Sequence, residues 1–403
     1  MMTDKSARIV YLALAAGAAV LFIGGGARFA ISLALKPINA EFATGRSLIG
    51  GAVLAFQIVS AIALLFAGRL ADRFDLRVVL GGGIVVAAAG LTGLAVVETP
   101  NQLVLFYGVV FACGTGIASL IPVGVLVTRA FPNHVGTANA VVLTGMGLGQ
   151  LVIMATFSVL LADIGWRTIF LILGLMHIVL LPLIAFGINA ATARAPDRSA
   201  QANPFDGATP AGGPALGVIF RSGHFWLLLA VYAICGLQDF YVSTHIVAFA
   251  QDQGAPAVFA GNLLALMGLM MLLGVLAAGW VSDRTGPVVP TLACFILRIG
   301  LFAAVLIDAS IATVAAFALL FGLTFLVTAP LCIVFARNAF GTRHLGLITG
   351  LITMVHHIAG GFGAWLGAAW FDATGNYDAV FVAMLVTSIA GTVLTLMLRP
   401  PRP

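Results

Sequence analysis

The sequence predicts an all-α integral membrane protein of twelve transmembrane helices, arranged as two pseudo-symmetric six-helix halves. Three observations carry that expectation. Of the 403 residues, 61% are apolar and 8% charged, with a mean hydropathy of +1.13, a composition that no water-exposed surface supports. The apolar residues gather into runs of about 20 or more, the length a helix needs to cross a hydrocarbon core of roughly 30 Å, where only helices and closed barrels satisfy their own backbone. The hexapeptide Gly68-Arg69-Leu70-Ala71-Asp72-Arg73 returns as Gly279-Trp280-Val281-Ser282-Asp283-Arg284, each time just after the second apolar run of its half. One bundle is therefore built twice.

Apolar runs, read against charged or Gly/Pro-rich breaks, place the spans at 9–35, 46–68, 77–97, 101–129, 135–163, 166–190, 224–250, 256–280, 287–307, 311–336, 344–370 and 378–398. Residues 1–190 form the first six-helix half and 224–403 the second. Residues 191–223, rich in Ala, Pro, Gly and Asp and without helical periodicity, read as a flexible linker between them. The first span follows Lys5 and Arg8 and is too long for a signal-peptide core, so it is expected to stay.

Basic residues set the expected orientation, because loops that remain cytoplasmic carry excess Lys and Arg. With the N-terminus inside, Lys5, Arg8, Arg69, Arg73, Arg77, Arg129, Arg194, Arg198, Arg221, Arg284, Arg337, Arg343, Arg399 and Arg402 all fall on the cytoplasmic side. Only Lys36, Arg46 and Arg167 fall outside, among Glu41, Glu98, Asp163, Asp252, Asp308, Asp372 and Asp378. The net charge of +5 is then a topological signal and points to no nucleic acid. Both termini are expected in the cytoplasm of a bacterium, with the bundle in its inner membrane. Cys113, Cys235, Cys294 and Cys332 lie within spans without CxxC spacing and read as buried thiols, with neither a disulfide nor a metal site.

The repeated hexapeptide has a physical task. Glycine at 68 and 279 allows close backbone approach at a helix end, and Asp72 and Asp283 can accept hydrogen bonds from a neighbouring helix N-terminus or pair with nearby arginines. A latch of Gly68, Asp72, Arg73 and Arg77, echoed by Gly279, Asp283 and Arg284, is expected to gate one face. The bland alternative is a set of loop cations with no mechanical role. The hexapeptide with Arg77 four residues on resembles the signature between the second and third helices of the major facilitator superfamily. The Asp163-Ile164-Gly165-Trp166-Arg167 junction is similar to that family's turn between helices five and six. Within the family, Leu35-Lys36-Pro37-Ile38 and Thr244-His245 resemble bacterial relatives of monocarboxylate porters and the oxalate/formate antiporter. The resemblance implies a secondary transporter working by alternating access, with no cofactor.

Substrate chemistry is expected where charge is expensive, since an ionised side chain at helix centre costs about 2.5–3.5 kcal/mol on insertion scales. Arg28, Ser32 and Lys36 are spaced four apart and make a basic stripe down the first span, suited to a carboxylate that a guanidinium can grip bidentately. The alternative is an internal partner for Arg28 and a snorkelling Lys36. Tyr107 in the fourth span joins the candidate substrate contacts. In the seventh span Gln238, Tyr241 and His245 share one helical face and are expected to line a cavity. Asp239 is turned about 100° from Gln238 by the helical period. Its natural partner is Arg298, about 16 Å into the ninth span by helical rise, and that pair is open to a structural or a coupling role. Of His356 and His357 only one can face a cavity, and the glycines at 360, 361 and 363 favour close helix contact. Protonatable groups at membrane depth are few: Asp239, His177, His245, His356 and His357. His245 is the expected proton carrier, with Asp239 beside it, and a histidine merely hydrogen-bonded in the bundle is the alternative.

Two departures limit the resemblance. Monocarboxylate porters and the oxalate/formate antiporter place an arginine in the eighth helix where this chain has Val275, so Arg28 or Arg298 would have to replace that anion anchor. The Gly-Pro signature of many drug/proton antiporters is also missing from Gly145-Met146-Gly147-Leu148-Gly149-Gln150. The expected function is transport of a small organic anion, a mono- or dicarboxylate, coupled to protons, by a monomer in the lipid bilayer. The alternatives are an exporter of amphipathic or cationic compounds using Asp239 among Phe240, Tyr241, Phe321 and Phe325, and a membrane sensor that binds without transporting. No phosphate-cradling loop is present for an ATP-driven pump.

Overall fold

Proline decides where several of these spans break. In the computed structural model, which describes residues 4–131, 135–188, 192 and 213–398, every regular element is helical. The helices are α1 Asp4–Ala27, α2 Ala30–Leu33, α3 Leu35–Phe42, α4 Ser47–Arg73, α5 Leu76–Leu94, α6 Pro100–Leu103, a π-helix Val104–Phe111, α7 Ala112–Ile117, α8 Leu120–Ala130 and α9 Val135–Gly187. They continue with α10 Leu216–Arg221, α11 Gly223–Asp252, α12 Ala257–Thr285, α13 Val288–Ile307, α14 Ile311–Gly322, α15 Thr328–Phe340, α16 Leu345–Thr374 and α17 Asp378–Met397. Most of the expected linker, with Arg194, Arg198, Arg399, Arg402 and the side chains of Lys5 and Arg8, lies outside the described residues.

Among the described residues, ten stretches are long and apolar enough to cross a membrane. One of them, residues 137–187, is two spans joined at Gly165, and the shorter apolar helices α14 and α15 together make one more. The twelve expected spans are thereby accounted for. Gly165 turns the chain with φ 73°, a left-handed conformation that glycine adopts without steric cost. The residues that follow are pinned: Trp166 Nε1 donates to Glu41 Oε2 at 2.7 Å, Arg167 pairs with Glu41 Oε1, and Arg167 Nη2 donates to the Val97 carbonyl at 2.7 Å. The Arg167 hydrogen bond outweighs desolvation and holds the Glu41 carboxyl below its ordinary range.

Three spans expected as continuous are interrupted. The first breaks around Arg28 and again at Ala34, the fourth at Ala118 and Ser119, and the tenth across 323–327. Pro37, Pro122 and Pro330 each stand third in the helix that resumes. Proline has no N–H for the residue four back, and its ring crowds that carbonyl, so a helix tolerates it in the first turn and not further in. Ser119 caps the restart of α8, its Oγ accepting from the Ile121 N–H at 3.4 Å.

Contacts divide the chain into two units, residues 1–44 with 51–201 and residues 45–50 with 202–403. In the first, Leu21, Leu80, Ile84, Leu126 and Val142 belong to one buried cluster; in the second, Phe225, Phe295, Leu331, Phe340 and Ile348 belong to another. Large apolar side chains such as Val179, Phe186 and Ile307 are exposed, as lipid-facing positions require. The first residues of α4 group with the second unit. Asp372 accepts from the backbone N–H groups of Arg46 and Ser47 at 2.7 and 2.8 Å, a carboxylate at the positive end of a helix.

Candidate functional site

In the second unit α11 and α16 approach along a seam that only glycine permits. A Cβ added to Gly236 would strike the His356 carbonyl oxygen, and one added to Gly363 would strike that of Leu237. The approach sets His356 against Asp239, and Arg298 arrives from α13. All five guanidinium donors of Arg298 are used. Nη2 donates to Asp239 Oδ1 at 2.5 Å and to the Thr324 carbonyl at 2.9 Å, and Nε donates to Thr324 Oγ1 at 3.0 Å. Nη1 donates to Gln238 Oε1 at 3.2 Å and reaches Cys235 Sγ at 3.6 Å. Both charged side chains are sealed from solvent. Asp239 Oδ2 accepts from the Leu326 N–H at 3.3 Å and the Cys235 thiol at 3.7 Å, and lies 3.5 Å from His356 Nε2.

The ion pair therefore braces the break in the tenth span. Where α14 ends a carbonyl needs a donor, and before α15 begins an N–H needs an acceptor; Arg298 meets the first and Asp239 the second, each with the sign that a helix end favours. Between them Leu326 has φ 55°, a left-handed conformation uncommon for a residue with a Cβ.

Cys235, Asp239 and His356 offer atoms within 4.8 Å of one another, close enough to consider a cation among them. Arg298 decides against a divalent one. It already neutralises Asp239: at roughly 4 Å and an effective dielectric of about 20, the guanidinium repels each added unit of positive charge by about 4 kcal/mol, which offsets the attraction of the carboxylate. A proton shared with the carboxylate adds one charge at most and fits better.

The face Gln238, Tyr241, His245 corrects the expectation of an open cavity. Gln238 Nε2 donates to Met384 O, Thr387 Oγ1 and Ser388 Oγ of α17 at 2.9–3.1 Å. His245 has both ring nitrogens engaged: Nε2 with the Ala364 carbonyl at 2.8 Å, Nδ1 with the Tyr377 hydroxyl at 3.0 Å. The space beside Tyr241 and His245 is about 10 Å³, the scale of one water rather than a substrate. Helical spacing puts polar residues on one face; it does not say that the face meets water, and in an apolar bundle they turn to neighbouring helices. The Tyr377 hydroxyl also accepts from Arg46 Nη1 at 2.7 Å, and Arg46 pairs with Asp252 at 2.7 Å and covers the Phe371 ring at 3.4 Å. Burial works against the Arg46 charge, but Asp252 and Tyr377 outweigh it and hold the guanidinium above its ordinary value. His177 Nδ1 bonds the Leu173 carbonyl at 2.7 Å within its own helix. His357 is half-buried, its ring tilted against Phe240.

In the first unit the π-helix carries Tyr107, buried and stacked on Phe56. Its hydroxyl donates to the Arg28 carbonyl at 2.8 Å, where the first span leaves regular helix. Ser32 is buried in α2 and Lys36 half-buried in α3, so the basic stripe runs over a span broken twice into three helices. A π-turn beside a broken helix is a frequent mark of function.

The hexapeptide needs two corrections of detail. A Cβ at Gly68 would lie at an ordinary 3.7 Å from Ile121, and one at Gly279 would meet nothing within 4 Å, so close packing requires neither glycine. Arg77 is bonded to Asp75, the cap of α5, at 2.7–3.0 Å, a carboxylate outside the expected latch. Arg284 covers the Trp280 ring at 3.7 Å, and Arg129 donates to the Ala71 carbonyl at 3.1 Å.

The model of the Major Facilitator Superfamily matches residues 17–364. The chain belongs to the Major Facilitator Superfamily. Like other facilitators it is a multi-pass membrane transporter and not an enzyme. It is similar to the uncharacterised MFS-type transporter YcxA of Bacillus subtilis, at 26% identity over 362 residues, covering 87% of this chain and 86% of that one. It is also similar to monocarboxylate transporter 13 of Rattus norvegicus, at 25% over 338 residues, 83% and 75% of the two chains. Among solved structures, a mutant of the nucleoside transporter NupG shares the fold with a TM-score of 0.80 at 12% identity, over 98% and 100% of the chains. In this facilitator Thr324, Leu326 and Tyr377 join the buried networks without any mark in the sequence, and Cys235, expected as a buried thiol, joins them too. Pro330, six residues beyond Thr324, was the one readable sign of the interruption.

Proposed function

We propose that this facilitator carries a small organic anion, a carboxylate, by alternating access, coupled to protons. The observation that carries the reading is Arg28, a guanidinium at the irregular turn of the first span, with Tyr107 holding its backbone and Ser32 and Lys36 following at intervals of four residues in the next two short helices. Irregular backbone at membrane depth frees hydrogen-bonding groups for a ligand, and a cation beside it selects an anion. The similarity to a monocarboxylate transporter supports the same substrate class. Export of cations draws less support, since the Asp239 carboxylate that it needs is engaged by Arg298. For Asp72, Arg73 and the second copy of the hexapeptide we keep a gating role.

Counterflow of labelled L-lactate and pyruvate in proteoliposomes, against a labelled lipophilic cation, tests the reading. Saturable exchange of an acid is expected, and Arg28→Gln should abolish it in folded protein. Exchange of the cation alone, or acid exchange with unchanged apparent affinity in Arg28→Gln, would sink it. Binding without exchange would make the protein a sensor.

A further inference from the structure

We propose that His356 and Asp239 form a proton-binding pair that controls the break in the tenth span. Two buried histidines in this unit are candidates, and the geometry separates them. His245 holds hydrogen bonds at both ring nitrogens, so a new proton there must first displace the Tyr377 hydroxyl from Nδ1. His356 Nε2 is buried, has no hydrogen-bond partner among the described residues, and stands 3.5 Å from Asp239 Oδ2. A proton on Nε2 has a carboxylate oxygen 3.5 Å away, and a small shift closes the gap to a charge-assisted bond.

The surroundings define what that proton does. Facing the pair are Cys235 from α11, Arg298 and Cys294 from α13, the Thr324 hydroxyl from the break and the Thr328 hydroxyl from α15; His357 is its neighbour on α16. The polar groups of α17, Thr387 and Ser388, turn to Gln238 instead. Among the described residues around the pair Arg298 is the one fixed positive charge, and it already occupies Oδ1. Protonated His356 takes the oxygen that stands 3.5 Å from it, Oδ2, the atom that accepts from the Leu326 N–H at 3.3 Å and the Cys235 thiol at 3.7 Å. Oδ2 then has three donors, and the charged one draws it away from the other two; the bond to Leu326 is weakened, and with it the tie that holds a left-handed, side-chain-bearing residue in place. Segment 323–327 is then free to change conformation, and α14 and α15 with it. By linkage, a rearrangement that carries Leu326 off Oδ2 leaves this oxygen to His356 and raises its affinity for the proton.

The link from proton to break stands on this geometry alone, and its use in transport rests on the function proposed above. Hydrogen exchange of full-length protein in nanodiscs, without substrate and corrected for the pH dependence of intrinsic exchange, tests the link between about pH 8 and about pH 5.5, the range in which an imidazole titrates. Amides of 323–327 should lose about tenfold in protection on acidification, as an opened local segment does, and His356→Gln should remove the pH dependence. Wild-type protection that ignores pH, or an unaltered pH response in His356→Gln, overturns the proposal. Asp239→Asn risks misfolding around an unpaired Arg298, so His356→Gln carries the test. In proteoliposomes His356→Gln should lose accumulation of L-lactate or pyruvate driven by a pH gradient while counterflow persists; accumulation at the wild-type level also overturns it. Should wild-type protein exchange neither acid while the hydrogen-exchange switch is present, the anion reading fails and the proton pair stands.

Discussion

His356 Nε2 stands 3.5 Å from one oxygen of Asp239 while Arg298 holds the other at 2.5 Å. One carboxylate is thus divided between a permanent cation and a titratable ring, and the permanent partner is the one with no freedom left. The stability of the second unit and its capacity to respond are assigned to different oxygens of the same side chain.

Removing Arg298 should be costly because it strands a buried carboxylate. Arg298→Gln is expected to lose about 3–5 kcal/mol, the range for a buried pair broken on one side. Thermal unfolding in detergent reads the loss. Asp239→Asn combined with Arg298→Gln should recover most of it, since neither charge remains. A double variant no more stable than the single one would show that the bonds to Thr324, rather than the charge pair, dominate.

Helix approach at the glycine seam gives a second expectation. Gly363→Ala forces a methyl onto the Leu237 carbonyl and should destabilise by about 1–3 kcal/mol, as overpacking does. Gly279→Ala meets open space and should stay within about 0.5 kcal/mol of the parent. Equal melting temperatures for the two variants would refute this account of the seam.

Glu41 supplies a pH dependence of definite sign. Its folded carboxyl titrates below the ordinary range because Arg167 bonds the charged form. The stabilisation is present above the unfolded value, about 4.3, and is lost as pH falls through the folded one. Arg167→Gln should cost about 0.2–1 kcal/mol near neutrality, at the low end because both side chains are partly solvated and salt screens them. That difference should vanish in acid. A penalty that is equal at pH 7 and below pH 3 would assign the loss to the Val97 carbonyl contact instead.

The spans were legible because length and apolarity are properties of single segments. Gly165 was legible as a turn, and Asp239 pointed to Arg298 because no other cation lies at comparable depth in that half. The interruptions at 28–29, 34, 118–119 and 323–327 do not show in the apolar runs, although Pro37, Pro122 and Pro330 signal the last three once proline is read as a helix start. The surroundings of His245 were out of reach. Its two partners, Ala364 and Tyr377, stand more than a hundred residues away, and a residue's own face says nothing about what the fold brings to it. The same holds for His356, whose significance depends on a glycine seam that sequence marks only as small residues.

The hydrogen bonds from Arg46 to Tyr377, Tyr377 to His245, and His245 to the Ala364 carbonyl make a chain that can be written in only one direction. A guanidinium has no lone pair to offer, so Tyr377 must accept from it and pass its own hydrogen onward; a carbonyl has no hydrogen, so His245 must present one to Ala364. The imidazole is left no choice of tautomer. Its Nε2–H form is dictated by a residue 199 positions earlier in the chain, and the order of donors records, like the grain in wood, from which end the row was set.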